Sequence, residues 1–212
     1  MLAIDTGSTS TKIGYFVDGE LAFEENLAHK AEDLAGFKDV MEQDTLRRDD
    51  VRIFMRGKGI HAQDIDIVMA RGGLFYPVVT GIYSVNEDMR EVLRNCKYGR
   101  HACNLSAIIA DDLAKEITEK NVARGVEMPF GVCRAYIADP PMADEMLPEC
   151  RVGGLPEFQR RPFFHALNSR AVVRRYLKDH GYIQNDITAI VAHIGGGITV
   201  TLHRNGKVID SN

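Results

Sequence analysis

Short apolar runs broken by glycine and hydroxyl residues open the chain, and their spacing predicts strands. Leu2 to Ile4 and Lys12 to Val17 read as two strands around a polar turn, with Glu20 to Asn26 a third beyond Asp18-Gly19. An Asp-Gly pair between apolar segments is a strong hairpin signal, because both turn positions need positive φ. The period then becomes helical. A charged helix is predicted over Leu46 to Lys58, closed by Gly59. Ile65 to Ala70 is a compact apolar strand ending at Arg71-Gly72-Gly73, and Asn86 to Arg94 reads as a helix. Over Asn104 to Lys120, the residues Leu105, Ile108, Ile109, Leu113 and Ile117 fall on one helical face. Arg134 to Ala138 is a strand that Asp139-Pro140-Pro141 cannot continue. Gly153-Gly154-Leu155-Pro156 forms a loop and a candidate hinge. A long helix is predicted from Pro162 to about His180, ended by Gly181.

The opening pattern returns near the other end. Thr188 to His193, Gly195-Gly196-Gly197, Ile198 to His203, Asn205-Gly206 and Lys207 to Asp210 repeat strand, glycine turn, strand, hairpin turn and strand. Asp5 precedes Gly7 by two residues, as His193 precedes Gly195; Gly19 follows Asp5 by fourteen, and Gly206 follows His193 by thirteen. Such self-similarity implies two similar units. A unit built like the first needs helices and parallel strands after its hairpin, so the second is expected to be incomplete at Asn212.

The 212 residues are 45% hydrophobic and 26% charged, with a formal net charge of −4. That is a globular composition, and its charge argues against a nucleic-acid or acidic-membrane surface. Cys96, Cys103, Cys133 and Cys150 fall in no CxxC pair and no zinc spacing, and Asp5 interrupts the N-terminal apolar run as no signal peptide would. These features predict reduced thiols in a cytoplasmic protein. No apolar stretch approaches the length needed to cross a bilayer.

Several residues carry candidate chemistry. Gly7 allows close approach of an anion, and the N–H groups and hydroxyls of Ser8, Thr9, Ser10 and Thr11 can ring a phosphate. Asp5 offers a carboxylate to a metal or its water, and Lys12 a point charge to phosphate oxygens. Arg71 stands at a strand's carboxyl end beside two glycines, a place for a bidentate clamp on carboxylate or phosphoryl oxygens. His101 precedes the Asn104 helix, whose N-terminus attracts anions. His165 lies in the first turn of the long helix with Asn168 on the same face, amid Phe163, Phe164, Leu167 and Val173, a setting that suits hydrogen bonding to a transferring phosphoryl group. Asp139 closes a strand and can hold Mg²⁺ or water. Each also has a structural reading: a hairpin turn, a strand-capping Arg, an exposed or core His, a turn Asp. Two glycine hairpins facing one another would grip a polyphosphate from both sides, and with Arg71, Asp139 and His165 between them they point to phosphoryl transfer.

Read together, Asp5-Thr6-Gly7-Ser8-Thr9-Ser10-Thr11-Lys12, Arg71-Gly72-Gly73, His101-Ala102-Cys103-Asn104-Leu105, Asp144-Glu145-Met146, Gly154-Leu155-Pro156-Glu157, Phe164-His165-Ala166-Leu167-Asn168 and Ala192-His193-Ile194-Gly195-Gly196-Gly197 resemble the butyrate kinases. These belong to the acetokinase branch of the sugar kinase, heat-shock chaperone and actin superfamily. The resemblance covers essentially the whole chain. It implies an α/β, actin-like ATPase (ribonuclease H-like) fold of mixed sheets with flanking helices, a first domain over residues 1–147 and the start of an incomplete nucleotide-binding domain over 148–212. It implies reversible, ATP-dependent and Mg²⁺-assisted phosphorylation of a short-chain carboxylate to an acyl phosphate. Arg71 would hold the substrate carboxylate or the phosphoryl group, His101 and His165 would support the planar phosphoryl, and Asp139 and Asp5 would act near Mg²⁺. Gly7 to Lys12, and His193 with Gly195, Gly196 and Gly197, would face the ATP phosphates. Phe164 and Asn168 would line the acyl pocket, where each buried CH₂ is worth about 0.8 kcal/mol.

The resemblance departs at Asp5, where acetokinases of this branch carry Asn; the added negative charge calls for Mg²⁺ between it and a phosphate. Members also continue well beyond the position of Asn212, into an adenosine pocket, a second catalytic Arg and a returning C-terminal helix. The chain alone is therefore expected to bind ATP weakly and to turn over butyrate poorly or not at all, and to self-associate as a homo-oligomer. Two alternatives come from other classes. Asp5-x-Gly7-Ser8-Thr9-x-Thr11-Lys12 also resembles the ATPase activators of acyl-CoA dehydratases, which hold an iron–sulfur cluster through cysteines, although Cys103, Cys133 and Cys150 lack a cluster spacing. The other is a folded kinase fragment without catalysis.

Overall fold

A computed structural model describes residues 1–183, 187–195 and 197–212. The chain packs as two compact units, Met1–Phe75 with Ile82–Ala138 and Tyr76–Gly81 with Asp139–Asn212. The division thus falls at Ala138, ahead of the boundary expected at 147, and the segment Tyr76–Gly81 belongs to the second unit.

In the first unit, β1 (Leu2–Thr6), β2 (Ser10–Val17) and β3 (Glu20–Ala28) form an antiparallel meander. Asp18 and Gly19 turn it with φ of 50° and 85°, the left-handed pair that a two-residue hairpin requires. A short α1 (Ala31–Leu34) leads to α2 (Asp44–Gly57), and then come β4 (Ile67–Ala70), β5 (Ile82–Ser84), α3 (Glu87–Arg94), α4 (Cys103–Ala123) and β6 (Arg134–Ala138). The sheet order is β3-β2-β1-β4-β6-β5, with β4 parallel to both β1 and β6 and β5 antiparallel at the edge.

The core forms where α4 lies across β1, β4 and β6. Leu2 and Ile4, Val68 and Ala70, and Ile137 are buried from the sheet; Leu105, Ile108, Ile109, Leu113 and Ile117 are buried from the helix. Each large side chain so buried contributes about 1.5–3 kcal/mol. The first two turns of α4 are buried all round, because α2 and α3 close on its other sides with Val51, Phe54, Met89 and Leu93. That burial also demands partners for polar groups. Thr6, fully buried at the end of β1, donates its hydroxyl to the Ala102 carbonyl at 2.7 Å, and its N–H donates to Ser106 Oγ at 3.1 Å. The end of β1 is thereby pinned to the start of α4.

The second unit holds α5 (Ala166–His180) and an antiparallel sheet of β7 (Thr188–Ile194), β8 (Ile198–Arg204) and β9 (Lys207–Ser211), in the order β7-β8-β9. The repeat read from the sequence is therefore a repeat of structure. Asn205 and Gly206 turn the second meander with φ of 51° and 75°, matching Asp18 and Gly19, and each meander carries a register shift near its second turn. One expectation fails here. The long helix starts at Ala166 and not at Pro162, because Phe164 is buried with Ala143, Ala166 and Val208 while its N–H bonds the Pro141 carbonyl. Burying that ring outweighs the helix-starting tendency of Pro162. Phe163, beside it, is 56% exposed.

Candidate functional site

Each unit carries one set of the residues singled out from the sequence. In the first, β1 and β4 run parallel, so their carboxyl ends bring Asp5 and Arg71 together: Arg71 N–H bonds the Ile4 carbonyl, and its Nη1 donates to Asp5 Oδ1 at 3.2 Å. Lys12 is the cross-strand neighbour of Asp5 on β2 and is exposed. Asp5 thus forms an ion pair with Arg71. Arg71 engages only one carboxylate oxygen, Oδ1, of the half-buried Asp5.

The glycines after Arg71 are explained by close approach. Gly72 has φ of 82°, and a Cβ on Gly73 would lie 2.6 Å from Asn104 Cα and 2.7 Å from Leu93 Cδ2. The side chain of Asn104, fully buried, accepts from Leu74 N–H at 2.8 Å and donates to the Gly99 carbonyl at 2.9 Å. That clasp sets the loop carrying Arg71 against the start of α4. Its other product is His101, just ahead of the helix, whose Nδ1 accepts from Cys103 N–H at 3.1 Å. Nε2 then carries the proton of the neutral ring and reaches 3.5 Å from Ser8 Oγ in the Gly7–Ser10 turn. Burial first, then the Arg71 charge, hold the His101 pKa below its ordinary value. His101 is accordingly a neutral hydrogen-bond donor near pH 7. The turn is closed by Gly7 N–H to the Ser10 carbonyl at 2.8 Å, and Ser8 and Thr9 are exposed at its tip.

In the second unit, His165 is the residue before α5 rather than part of its first turn. Its Nδ1 lies 3.0 Å from Thr199 Oγ1 on β8, and its ring stacks on His193 of β7 with centroids 3.7 Å apart and planes within 6°. Asn168 does share its face, and its Nδ2 lies 2.9 Å from His193 Nδ1. A Cβ on Gly195 would be 3.6 Å from His193 Nε2, and one on Gly197 3.4 Å from His165 Cε1, so the imidazole edges border the second glycine turn. Gly196 lies outside the described residues. Phe164, expected to line an acyl pocket, is instead in the core of this unit.

Asp139 opens the second unit with φ of 39° and is buried. Its Oδ2 accepts from Arg170 Nε at 3.1 Å, and Arg170 also donates to the Gly206 carbonyl and lies 3.8 Å from Glu145. Its Oδ1 is buried without a hydrogen-bond partner among the described residues. An unpartnered carboxylate oxygen fits Mg²⁺ or a water on it, since that ion commonly takes one or two carboxylates and completes its shell with water and phosphate. No group of three or more metal-ligating side chains occurs among the described residues. The thiols of Cys103 and Cys133 are buried and pushed up to about 11 and about 12, a state unsuited to ligation or nucleophilic attack.

Two contributors were missed in the sequence, Arg170, the partner of Asp139, and Arg47, buried beneath the first turn; Glu145, marked only as part of Asp144-Glu145-Met146, accepts from Thr80 and from Val208 N–H. Arg170 and Arg47 lie in charged helices, where an arginine reads as a solvated face. No local signal marks a charge for burial. No helix among the described residues is long and apolar enough to cross a membrane.

No family model matches the chain. Butyrate kinase 2 of Clostridium acetobutylicum is 42% identical over 212 residues, which are all of this chain and 56% of that protein. A probable butyrate kinase of Phocaeicola vulgatus is also 42% identical over the whole chain and 55% of its own length. The crystal structure of acetate kinase from Entamoeba histolytica superposes with a TM-score of 0.62 at 16% identity, covering 99% of this chain and 54% of that one. The chain thus spans about half the length of the curated relatives it matches, and its fold is that of the actin-like ATPases. Along its entire length, this chain is a homologue of the butyrate kinases.

Proposed function

We propose that the chain forms the carboxylate-binding and phosphate-contacting part of a kinase that phosphorylates a short-chain, butyrate-like acid with ATP. The observation that carries this reading is the convergence of Arg71, neutral His101 and the Gly7–Ser10 turn at one end of the first sheet. Relatives named as butyrate kinases support the choice of acid. In the reaction a carboxylate oxygen attacks the γ-phosphorus; an acyl O–P bond forms, the bond to the β-bridging oxygen breaks, and ADP leaves with that electron pair. No proton moves in this step, and the same residues serve the reverse transfer by microscopic reversibility. Little covalent chemistry falls to the protein, whose work is positioning and charge stabilisation.

Arg71 is the planar fork for carboxylate or equatorial phosphoryl oxygens. His101 Nε2–H donates to the charge that spreads over the phosphoryl group, and Lys12 with the turn N–H groups meets the phosphates. The second unit offers its own donors of the same kind: His165, held by Thr199 and stacked on His193, as an imidazole donor, and the glycine turn after His193 for phosphate oxygens. Asp139 Oδ1 is where Mg²⁺ or its water would be held, supplying charge neutralisation for the phosphates. Residues 1–147 and 148–212 are proposed as the substrate-binding domain and the start of the nucleotide-binding domain, and a homo-oligomer as the working state.

Trapping the acyl phosphate with hydroxylamine tests the reading. Butyrate and ATP should give butyryl hydroxamate slowly with the chain alone, and Arg71→Ala should abolish it. A rate that Arg71→Ala leaves unchanged would sink the assignment, and a stoichiometric iron–sulfur cluster shared between two chains would favour the activator class instead.

A further inference from the structure

Beneath the first glycine turn lies Arg47 of α2, fully buried. All five of its N–H donors have an acceptor. Nε and Nη2 donate to Gln43 Oε1 at 3.1 and 2.8 Å, Nη1 donates to the Ser10 carbonyl at 3.1 Å and to Thr11 Oγ1 at 3.3 Å, and Nη2 reaches the Ser8 carbonyl at 3.5 Å. Every one of these acceptors is a neutral oxygen. Asp50 is the acid that acts on Arg47 through space, and it is itself occupied by Thr11 Oγ1 and His29 Nε2, each at 3.5 Å. A buried guanidinium bonded only to neutral acceptors, whose one acting acid is shared with other groups, is compensated only in part and carries a real desolvation cost.

The turn above it is arranged to use that charge. Two of its carbonyls, Ser8 and Ser10, are drawn inward to the guanidinium, while the N–H groups of Ser8 and Thr9 have no hydrogen bond among the described residues. A turn whose carbonyls are engaged from below and whose N–H groups are unpaired can take an anion on those N–H groups. We propose that Arg47 is the positioning residue of this turn: its five-donor clasp fixes the N–H groups outward, and its buried charge is the counter-charge of the phosphate bound there. The second half of this statement rests on the phosphate reading of the turn; the first does not.

Amide hydrogen exchange and a titration with inorganic tripolyphosphate, both read by NMR on the 212-residue chain, test it. Lysine keeps the charge but cannot span the four acceptors, so Arg47→Lys should speed exchange of the Gly7 amide about tenfold or more, as loss of charged hydrogen bonds worth about 1.4 kcal/mol or above implies. The β1–β4 ladder amides should not change. Glutamate at position 43 keeps an oxygen for Nε and Nη2 but cancels the charge, so Gln43→Glu should retain Gly7 protection and weaken tripolyphosphate binding about fivefold or more. Unchanged Gly7 exchange in Arg47→Lys, or unchanged affinity in Gln43→Glu, overturns the proposal. Should Arg47→Lys not fold, Gln43→Leu, which removes two of the five bonds, takes its place in the exchange arm with the same criterion. A parent chain that binds no tripolyphosphate overturns the phosphate reading and the counter-charge with it, while the exchange arm still decides the clasp.

Discussion

At the residue scale, the arrangement turns on one ion pair. Asp5 engages Arg71 at 3.2 Å, with Lys12 opposite on the neighbouring strand. An arginine tied to a carboxylate is a weaker clamp for an incoming anion, so Asp5→Asn should release it. Exposed or half-buried pairs are worth about 0.2–1 kcal/mol, and tripolyphosphate or butyrate should then bind up to about fivefold more tightly. Weaker binding in a titration of Asp5→Asn would mean that Asp5 itself takes part, through a cation. Gly73 makes a sharper prediction. A methyl there would meet the Asn104 backbone at 2.6 Å, and overpacking of this kind costs about 1–3 kcal/mol. Gly73→Ala should lower the urea midpoint accordingly, and an unshifted midpoint would show that the loop and α4 can part freely. Arg71, His101 and His165 were legible because glycines, a helix start and a polar pair in an apolar stretch mark them in one dimension. Arg47 and Arg170 were not, since only tertiary packing turns a charged helix position inward.

At the element scale, the two meanders share turn geometry but not surroundings. In the first sheet the face carrying Leu2, Ile4 and Thr6 is covered by α4 and fully buried. The corresponding face of the second sheet carries Ile190, Ala192 and Ile194 of β7, paired with Leu202, Val200 and Ile198 of β8. There Ile190 and Ile194 are 74% and 77% exposed, with no α4 counterpart among the described residues. Six apolar side chains on one open face predict self-association. Ile190→Thr with Ile194→Thr should shift the mass seen by light scattering toward the monomer, while the urea midpoint moves by about 0.5 kcal/mol or less, as for exposed positions generally. An unchanged mass would place association elsewhere. The hairpins themselves were readable because a two-residue turn needs left-handed residues, and Asp-Gly and Asn-Gly announce that need locally. The start of α5 was misread for the opposite reason. Pro162 is a local signal, and the burial of Phe164 that overrules it is a contact between segments distant in sequence.

At the scale of the whole molecule, three imidazoles give the chain a common response to acid. His29, His101 and His203 all have pKa values below the ordinary 6.5, each mainly because burial penalises the charged ring. Arg47 adds to the effect on His29, Arg71 on His101 and Arg170 on His203, so the cations that serve the candidate site also keep these rings neutral. The unfolded chain binds protons at 6.5 and the folded chain only at lower pH. Between those values the unfolded state holds more protons, and stability falls as pH falls. Asp44 and Asp50 act with the opposite sign. Burial raises their pKa above 3.8, so the folded state takes up their protons first, and acidification through that lower window favours it. The urea midpoint should therefore be level between about pH 7 and 8, drop from about pH 6.5 downward, and lose slope again in the carboxylate range. Above about pH 8.5 the raised thiols of Cys103 and Cys133 lower it, because the unfolded chain gives up those protons first. His203→Gln removes one of the three protonation penalties and should make the drop between pH 7 and 5.5 shallower, even where its midpoint at pH 7 is lower. A parent midpoint that is flat across that interval, or a His203→Gln profile as steep as the parent's, would show that these rings are protonated in the fold without cost. Arg71 and Arg47 would then no longer be acting on His101 and His29 as charges.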